Sequence, residues 1–408
     1  MTEPNAKSAS SRALSLRYPT YDDLRARALR RLPRFSFDFV DTGAGSGSGV
    51  ARNERAFAAI EMVPRFGRDV RDPGPSVELF GRRYALPVGI APMGLPGFVW
   101  PGADGHLAAA AQRARIPFVL GVGATLTIEE AARAAPDVLW FQLARMPRDD
   151  HAIAFDLIRR AEAAGAHVLA LTIDGSARPK RPRDMRNNTL PPFKLRPKML
   201  WQALAAPRWT LELARRGAPG FRNVYPYMDT PRPSVWDSAA FIVREVNGSF
   251  LWDEVKRIRD LWPRALMVKG LGHPEDAELS VRAGVDGVWV SNHGGRHFEP
   301  APPAIDVLPA IAATVGGRAT IVMDSGIRNG QDVLRALRLG ADFTFAGRAF
   351  LMGVAALGEA GGDHVARMFA DDVRNALAFL GAKTVAELGS VSIRHASAMA
   401  FDPPSNTR

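Results

Sequence analysis

The 408-residue chain contains no cysteine. A disulfide framework, a thiolate-bound metal and a cysteine nucleophile are therefore excluded. Long apolar runs are missing too, and none reaches the roughly 20 residues that a membrane-spanning helix needs. The polar start, MTEPNAKSASS, lacks the apolar core of a secretory signal, so the expected location is the cytoplasm. Negative charge is scarce: 42 Asp and Glu stand against 53 Lys and Arg, giving a formal net charge of +11 and a pI near 10.4. That balance favours an anionic partner, whether nucleic acid, an acidic lipid surface or an anionic ligand, and composition does not choose among them. Metal spacings such as H-E-x-x-H are absent, and isolated histidines such as His106 and His364 read as surface or packing residues.

What is present belongs to a globular chain, with 47% hydrophobic and 23% charged residues. Its length allows one large domain or two. Residues 1–16 read as a disordered polar tail, 17–390 as a single domain and 391–408 as a second tail. A basic amphipathic helix is expected from Tyr21 to Arg34. The strand-like FSFDFVD is followed by GAGSGSG (43–49), which fails the G-x-G-x-x-G dinucleotide pattern because its third glycine is misplaced. It reads as a flexible loop.

From Pro87 onward, short apolar runs alternate with helix-like Ala/Arg/Glu segments. The runs are VGIAPMG (88–94), PFVLGVG (117–123), VLWFQLA (138–144), HVLALTIDG (167–175), ALMVKG (265–270), GVWVSN (287–292), ATIVMDSG (319–326) and FTFAGR (343–348). Eight such units predict an α/β protein of the (β/α)8 barrel type rather than an open doubly wound sheet. A helical extension precedes the barrel. A long insertion rich in Pro, Trp and Arg, at about 185–250, follows strand 4.

Barrels of this kind place their chemistry at the carboxyl ends of the strands. Here those ends carry Gln142, Thr172, Asp174, Lys269, Ser291, His293, Asp324, Arg328 and Arg348. Any one of them alone reads as a satisfied polar strand end, but a whole rim of them does not. In VWVSNHGGRHFEP, His293 is a base separated from the cation Arg296 by two glycines that let a ligand approach the backbone. A guanidinium grips a carboxylate in two places and orients the adjacent carbon toward the imidazole. Asp174 is placed to hold that imidazole, and Lys269 suits a developing anion. DSGIRNG (324–330) and AGR (346–348) follow strands 7 and 8, where barrels often bind phosphate.

These segments, with RLPRFSFDFVDTGA, VGIAPMGL, WFQL, KRPRDMRN, LMVKG, AIDVLP and AGRAFLMG, resemble the FMN-dependent α-hydroxy acid dehydrogenase and oxidase family from about Tyr21 to Ala386. That family includes lactate, mandelate and glycolate enzymes. The resemblance implies bound FMN and oxidation of a 2-hydroxy acid to the 2-oxo acid. It matches His293 to the catalytic base, Asp174 to its partner, and Arg181 and Arg296 to the arginines that bind the substrate carboxylate. Lys269 matches the lysine beside flavin N1, and Gln142, Thr172 and Ser291 match flavin-ring contacts. Asp324, Gly326, Arg328, Gly347 and Arg348 match ribityl and phosphate contacts. A homotetramer is implied as well.

The departures from the family pattern are specific. Phe39 and Ala144 stand where relatives carry active-site tyrosines, and Met93 replaces a small polar residue beside the flavin. Gly121 and Ala124 occupy a strand-2 segment where relatives often have Ser and Thr, and His297 takes the place of a Gln. Losing one hydrogen bond to a charged group costs roughly 1.5–3 kcal/mol, which two arginines partly offset. A substrate bulkier than lactate is expected. The same losses keep a second reading open, a flavoenzyme of this fold that oxidises a peptide- or amine-derived cofactor precursor. A non-catalytic basic binding protein is the third, and no aromatic-basic face supports nucleic acid as its partner.

The segment 193–221 mixes Lys, Arg and Trp with Leu and Ala at helical spacing, and its PRW…ARRG…P pattern resembles the insertion of membrane-associated family members. Peripheral contact with the inner face of the cell membrane is weighed there against a basic helical lid. Gly94 occupies a position beside the flavin where oxidase-like relatives often have Ala. Quinone is therefore the expected electron acceptor.

Overall fold

The structure, a computed structural model, describes residues 6–189 and 196–401. Residues 1–5, 190–195 and 402–408 lie outside that description, so the start of the 193–221 segment and the outer ends of both expected tails are not covered.

The eight apolar runs form one closed barrel of parallel strands: β1 (Val88–Ile90), β2 (Phe118–Gly121), β3 (Leu139–Ala144), β4 (Val168–Thr172), β5 (Ala265–Leu271), β6 (Gly287–Val290), β7 (Thr320–Met323) and β8 (Phe343–Ala346). Pairing of Phe345 with Gly89 closes the ring between β8 and β1. Strands such as β2, β4, β6 and β8 are buried at every residue, because helices cover the outside and side chains fill the inside.

Aromatic rings fill the barrel. Trp289 stacks on Phe345 with ring centres 4.2 Å apart, and Trp140 lies 5.2 Å from the same ring. A hairpin of Val77–Leu79 and Arg82–Tyr84 closes the amino-terminal end. Its two turn residues, Phe80 and Gly81, both have positive φ (49° and 71°), as a two-residue hairpin turn requires. Tyr84 Oη accepts a hydrogen bond from Trp140 Nε1 at 3.1 Å. The hairpin packs on that end, and the cavity lies at the carboxyl ends of the strands.

Four segments differ from the sequence expectation. Ala6–Arg17 is helix α1, not a disordered tail: Leu14 packs on the core, and such a contact supports a helix that composition alone does not. Helix α2 (Tyr21–Arg31) has a Thr20–Asp23 capping box and stops short of Arg34, since the residue before Pro33 is disfavoured in a helix. FSFDFVD alternates like a strand but forms helix α3 (Arg34–Asp41), wedged so that Phe35, Ser36, Phe37, Asp38 and Val40 are all buried and periodicity carries no signal. Residues 391–401 are not a free tail. Ile393–His395 pairs antiparallel with Ile60–Met62, and His395 and Ser397 both bond the Asp306 carboxylate, at 2.8 and 2.7 Å.

The insertion folds as helices Pro182–Asn187, Pro197–Leu204, Pro207–Arg216 and Val235–Glu245. The helical run is interrupted after Leu204 and restarts with Pro207 as its first residue, and Trp209 Nε1 anchors the second helix by donating to the Val99 carbonyl at 3.0 Å. Among the described residues no helix is long and apolar enough to cross a membrane.

Phe345 touches both tryptophans, so Phe345→Ala is expected to destabilise the barrel by about 3–5 kcal/mol in urea denaturation.

Candidate active site at the carboxyl ends of the strands

After β6 the chain enters three consecutive left-handed residues, His293, Gly294 and Gly295, at φ 55°, 63° and 71°. A histidine in that region is uncommon and costs free energy, so surrounding contacts must hold it there. Asn292 and Asn53 exchange reciprocal amide hydrogen bonds at 2.9 and 2.7 Å, and Asn292 Oδ1 also accepts from Gly295 N at 3.1 Å. The GAGSGSG segment presses against this turn and leads into helix α4 (Ser48–Ala58). Ala44 N donates to Gly295 O at 2.9 Å, and a Cβ added at Gly295 would lie 2.7 Å from the backbone at Gly49 and Val50. The segment is an ordered wall, which corrects the flexible-loop expectation. Glu299 fastens it further by accepting from Ser46 N at 2.8 Å and Ser48 Oγ at 3.0 Å.

The turn aims His293 at Asp174 beyond β4. His293 Nδ1 lies 3.1 Å from both carboxylate oxygens, which leaves Nε2 for the pocket. Burial pushes the Asp174 carboxyl up, but the charge and hydrogen bond of His293, with Lys269 behind them, outweigh it and hold Asp174 well below the usual carboxylate range. Lys269 Nζ is buried at 3.0 Å from Asp324 Oδ2 and donates to Ser291 Oγ at 3.0 Å, so β5, β6 and β7 end in one connected polar cluster.

Arg181, Arg296 and Arg348 converge on the same cavity, about 320 Å³ in volume, together with Phe39, Met93, Gly94, Lys269, His293, Asp324, Gly326, Arg328 and Gly347. Arg296 donates to the Phe39 and Thr42 carbonyls, and Arg348 to those of Val40, Thr42 and Gly294. Neither has a carboxylate partner among the described residues. Burial first, and neighbouring guanidiniums second, push Arg296 well below its ordinary value and Arg348 down to about 10. Arg181 Nε lies 2.9 Å from Asp184 Oδ2 without the alignment of a hydrogen bond. Burial pushes Asp184 up and Arg181 down despite their mutual attraction, so desolvation dominates that pair. Half-buried cations balanced only by carbonyls make a site for an anion.

Other expected residues are placed differently. Gln142 and Thr172 bond each other at 2.9 Å on adjacent strands, but they, Ser291 and Ala144 do not line the cavity. The Arg328 guanidinium reaches the cavity yet pairs with Glu54 at 2.7 Å. Sequence reasoning missed Asp184, Thr189, Leu95, Ser325 and Phe221. Asp184 lies in the KRPRDMRN segment beside Arg181 and had that local signal; Phe221 comes from the insertion and had none.

Comparison with known proteins gives a consistent picture. A family model described as FMN-dependent dehydrogenase matches residues 28–395. (S)-mandelate dehydrogenase of Pseudomonas putida is 36% identical over 90% of this chain and 91% of its own length. L-lactate dehydrogenase of Chromohalobacter salexigens is 37% identical over 93% of this chain and 96% of its own. Among solved structures, the monotopic membrane protein (S)-mandelate dehydrogenase superposes with a TM-score of 0.86 at 35% identity, covering 91% of this chain and 98% of that one. Mandelate oxidase superposes with a TM-score of 0.78 at 30% identity, covering 93% and 99%.

The half-buried guanidiniums predict that FMN stabilises the apoprotein, by about 2.7 kcal/mol at one hundred times its dissociation constant. Arg348→Met is expected to lose most of that gain in a thermal-shift titration with FMN.

Proposed function

The chain belongs to the FMN-dependent dehydrogenase family, and from that premise we propose that it oxidises a 2-hydroxy acid larger than lactate to the 2-oxo acid. The single observation that carries the reading is the His293–Asp174 pair opening onto a cavity where Arg296 and Arg348 have no carboxylate partner among the described residues.

The residues present fit the cofactor. Arg348 is a half-buried cation short of an anion at the end of β8, where a phosphate would lie. Gly94 leaves open space beside the cavity, with nothing within 4 Å of an added Cβ. Asp324, Gly326, Arg328, Gly347 and Arg348 would hold the phosphate and ribityl end, Arg328 exchanging part of its contact with Glu54. Lys269, Met93 and Gly94 would flank the ring, with Gln142, Thr172 and Ser291 behind that wall. FMN, when bound, supplies the two-electron acceptor.

In this reading Arg181 and Arg296 take the substrate carboxylate. Their guanidiniums lie 5.9 and 5.4 Å from the Phe39 ring, which gives them a cation–π platform in place of a phenol. His293 accepts the proton at Nε2, and Asp174, ionised throughout, stabilises the resulting imidazolium. Phe39, Phe221, Met93 and Leu95 make the remaining wall apolar, which suits an aryl or long alkyl substituent. The enlargement rests on these residues rather than on Ala144, which stands off the cavity. Precursor oxidation has no such support, since every charged group for a 2-hydroxy acid is in place.

Peripheral membrane binding belongs to the same reading. Leu200, Trp201, Leu204 and Leu211 are exposed on two insertion helices that also carry Lys198, Arg208, Arg215 and Arg216. Apolar side chains among cations fit the interface of an anionic bilayer, and that is where a quinone acceptor is found. Homotetramer formation is the assembly that goes with this assignment.

Three outcomes test the reading. Under anaerobic conditions, mandelate and 3-phenyllactate should bleach the flavin at least tenfold more efficiently than lactate or glycolate; fastest reduction by glycolate would contradict the pocket assignment. Asp174→Asn should lower the reduction rate by about 10²–10⁴, because the imidazolium loses its counter-charge. Trp201→Glu should reduce sedimentation with anionic vesicles, and added salt should weaken the wild-type interaction.

A further inference from the structure

His297 takes the place of a family Gln, and its geometry gives it a defined chemistry. Its ring stacks on that of His293, with centres 3.6 Å apart and planes 18° from parallel. His297 Nδ1 lies 2.8 Å from the backbone carbonyl of Asp174. A carbonyl only accepts, so Nδ1 carries the proton and Nε2 carries a lone pair. Burial, with the neighbouring His293 second, pushes the His297 pKa down to about 3, so the ring remains neutral under working conditions. Both rings turn Nδ1 toward Asp174, one to its carboxylate and the other to its carbonyl, and both line the cavity. In a near-parallel stack their Nε2 atoms then face the same way.

Two adjacent imidazole nitrogens thus present lone pairs to the ligand, and their environments divide the work. His293 has the carboxylate that stabilises a positive charge. His297 lies 3.8 Å from the nearer Asp174 oxygen and has only the carbonyl in hydrogen-bond contact. A proton taken from substrate therefore goes to His293. His297 Nε2 has no hydrogen-bond partner in the protein among the described residues and is left to solvent or to a ligand. A donor on the ligand pairs with it.

We propose that His297 is a specificity-determining acceptor that selects 2-hydroxy acids bearing a second hydrogen-bond donor on C3, the class of 2,3-dihydroxy and 3-amino-2-hydroxy acids. The separation of the stacked rings is close to that of two donors on adjacent carbons, so the C2 hydroxyl meets His293 while the C3 donor meets His297. The apolar wall of Phe39 and Phe221 receives what lies beyond C3. This inference rests on the proposed 2-hydroxy acid oxidation and adds the substituent that distinguishes good substrates from adequate ones.

The test is anaerobic flavin reduction of the FMN-loaded enzyme by 3-phenyllactate and by both diastereomers of 3-phenylglycerate, followed by stopped flow. These acids differ only in the C3 hydroxyl. One net hydrogen bond predicts a dissociation constant roughly three- to tenfold lower for one diastereomer of 3-phenylglycerate, with the discrimination in binding rather than in the limiting rate. His297→Leu should bring the ratio to about one, and His297→Gln, whose amide oxygen also accepts, should keep most of it. A wild-type ratio at or below one for both diastereomers, or a ratio unchanged in His297→Leu, would overturn the proposal while leaving 2-hydroxy acid oxidation intact. Failure of all three acids to reduce the flavin would overturn both.

Discussion

The site depends on a left-handed turn that the rest of the molecule enforces. His293, Gly294 and Gly295 run through positive φ in succession, and only a backbone pressed from outside holds a histidine in that conformation. The pressure comes from a distant part of the chain: Gly43 and Gly49 approach the Gly295 backbone so closely that a side chain at either would meet it. The Asn53–Asn292 amide pair fixes the same contact from the helix behind. The amino-terminal extension is thus a wall of the site, and Gly43 is small for that reason rather than for mobility.

A second constraint is charge. The cavity gathers Arg181, Arg296 and Arg348 with little carboxylate to offset them, while Lys269 is matched by Asp324. Such a cluster is poor for stability taken alone, since buried cations without partners cost desolvation energy. It makes sense as a site whose missing negative charge arrives with its ligands. The +11 net charge is in part this same feature seen from the composition. Nucleic acid need not be invoked to account for it.

The barrel was legible in the sequence because its signal repeats: eight β-branched or aromatic runs, each followed by a helix, fix both strand number and sense. The rim was legible in part: Lys269, His293, Asp324, Arg328 and Arg348 line one cavity, while Gln142, Thr172 and Ser291 stand off it. Helix α3 was not, because a helix buried nearly all round loses its period. Phe221 was not, because it reaches the cavity from an insertion whose path no local pattern encodes. Asp184 sits three residues beyond Arg181 in the chain, yet nothing in that spacing says both will be buried together. The tautomer of His297 follows from a single carbonyl contact, which only three-dimensional placement supplies.

The account stands or falls on His293 as the group that accepts substrate's proton. The most direct measurement is anaerobic mixing of the FMN-loaded enzyme with mandelate, comparing the wild type with His293→Ala at equal flavin occupancy. The account predicts that the variant binds FMN normally and that its flavin is reduced about 10²–10⁴ times more slowly. Reduction of the His293→Ala flavin at near the wild-type rate would contradict it.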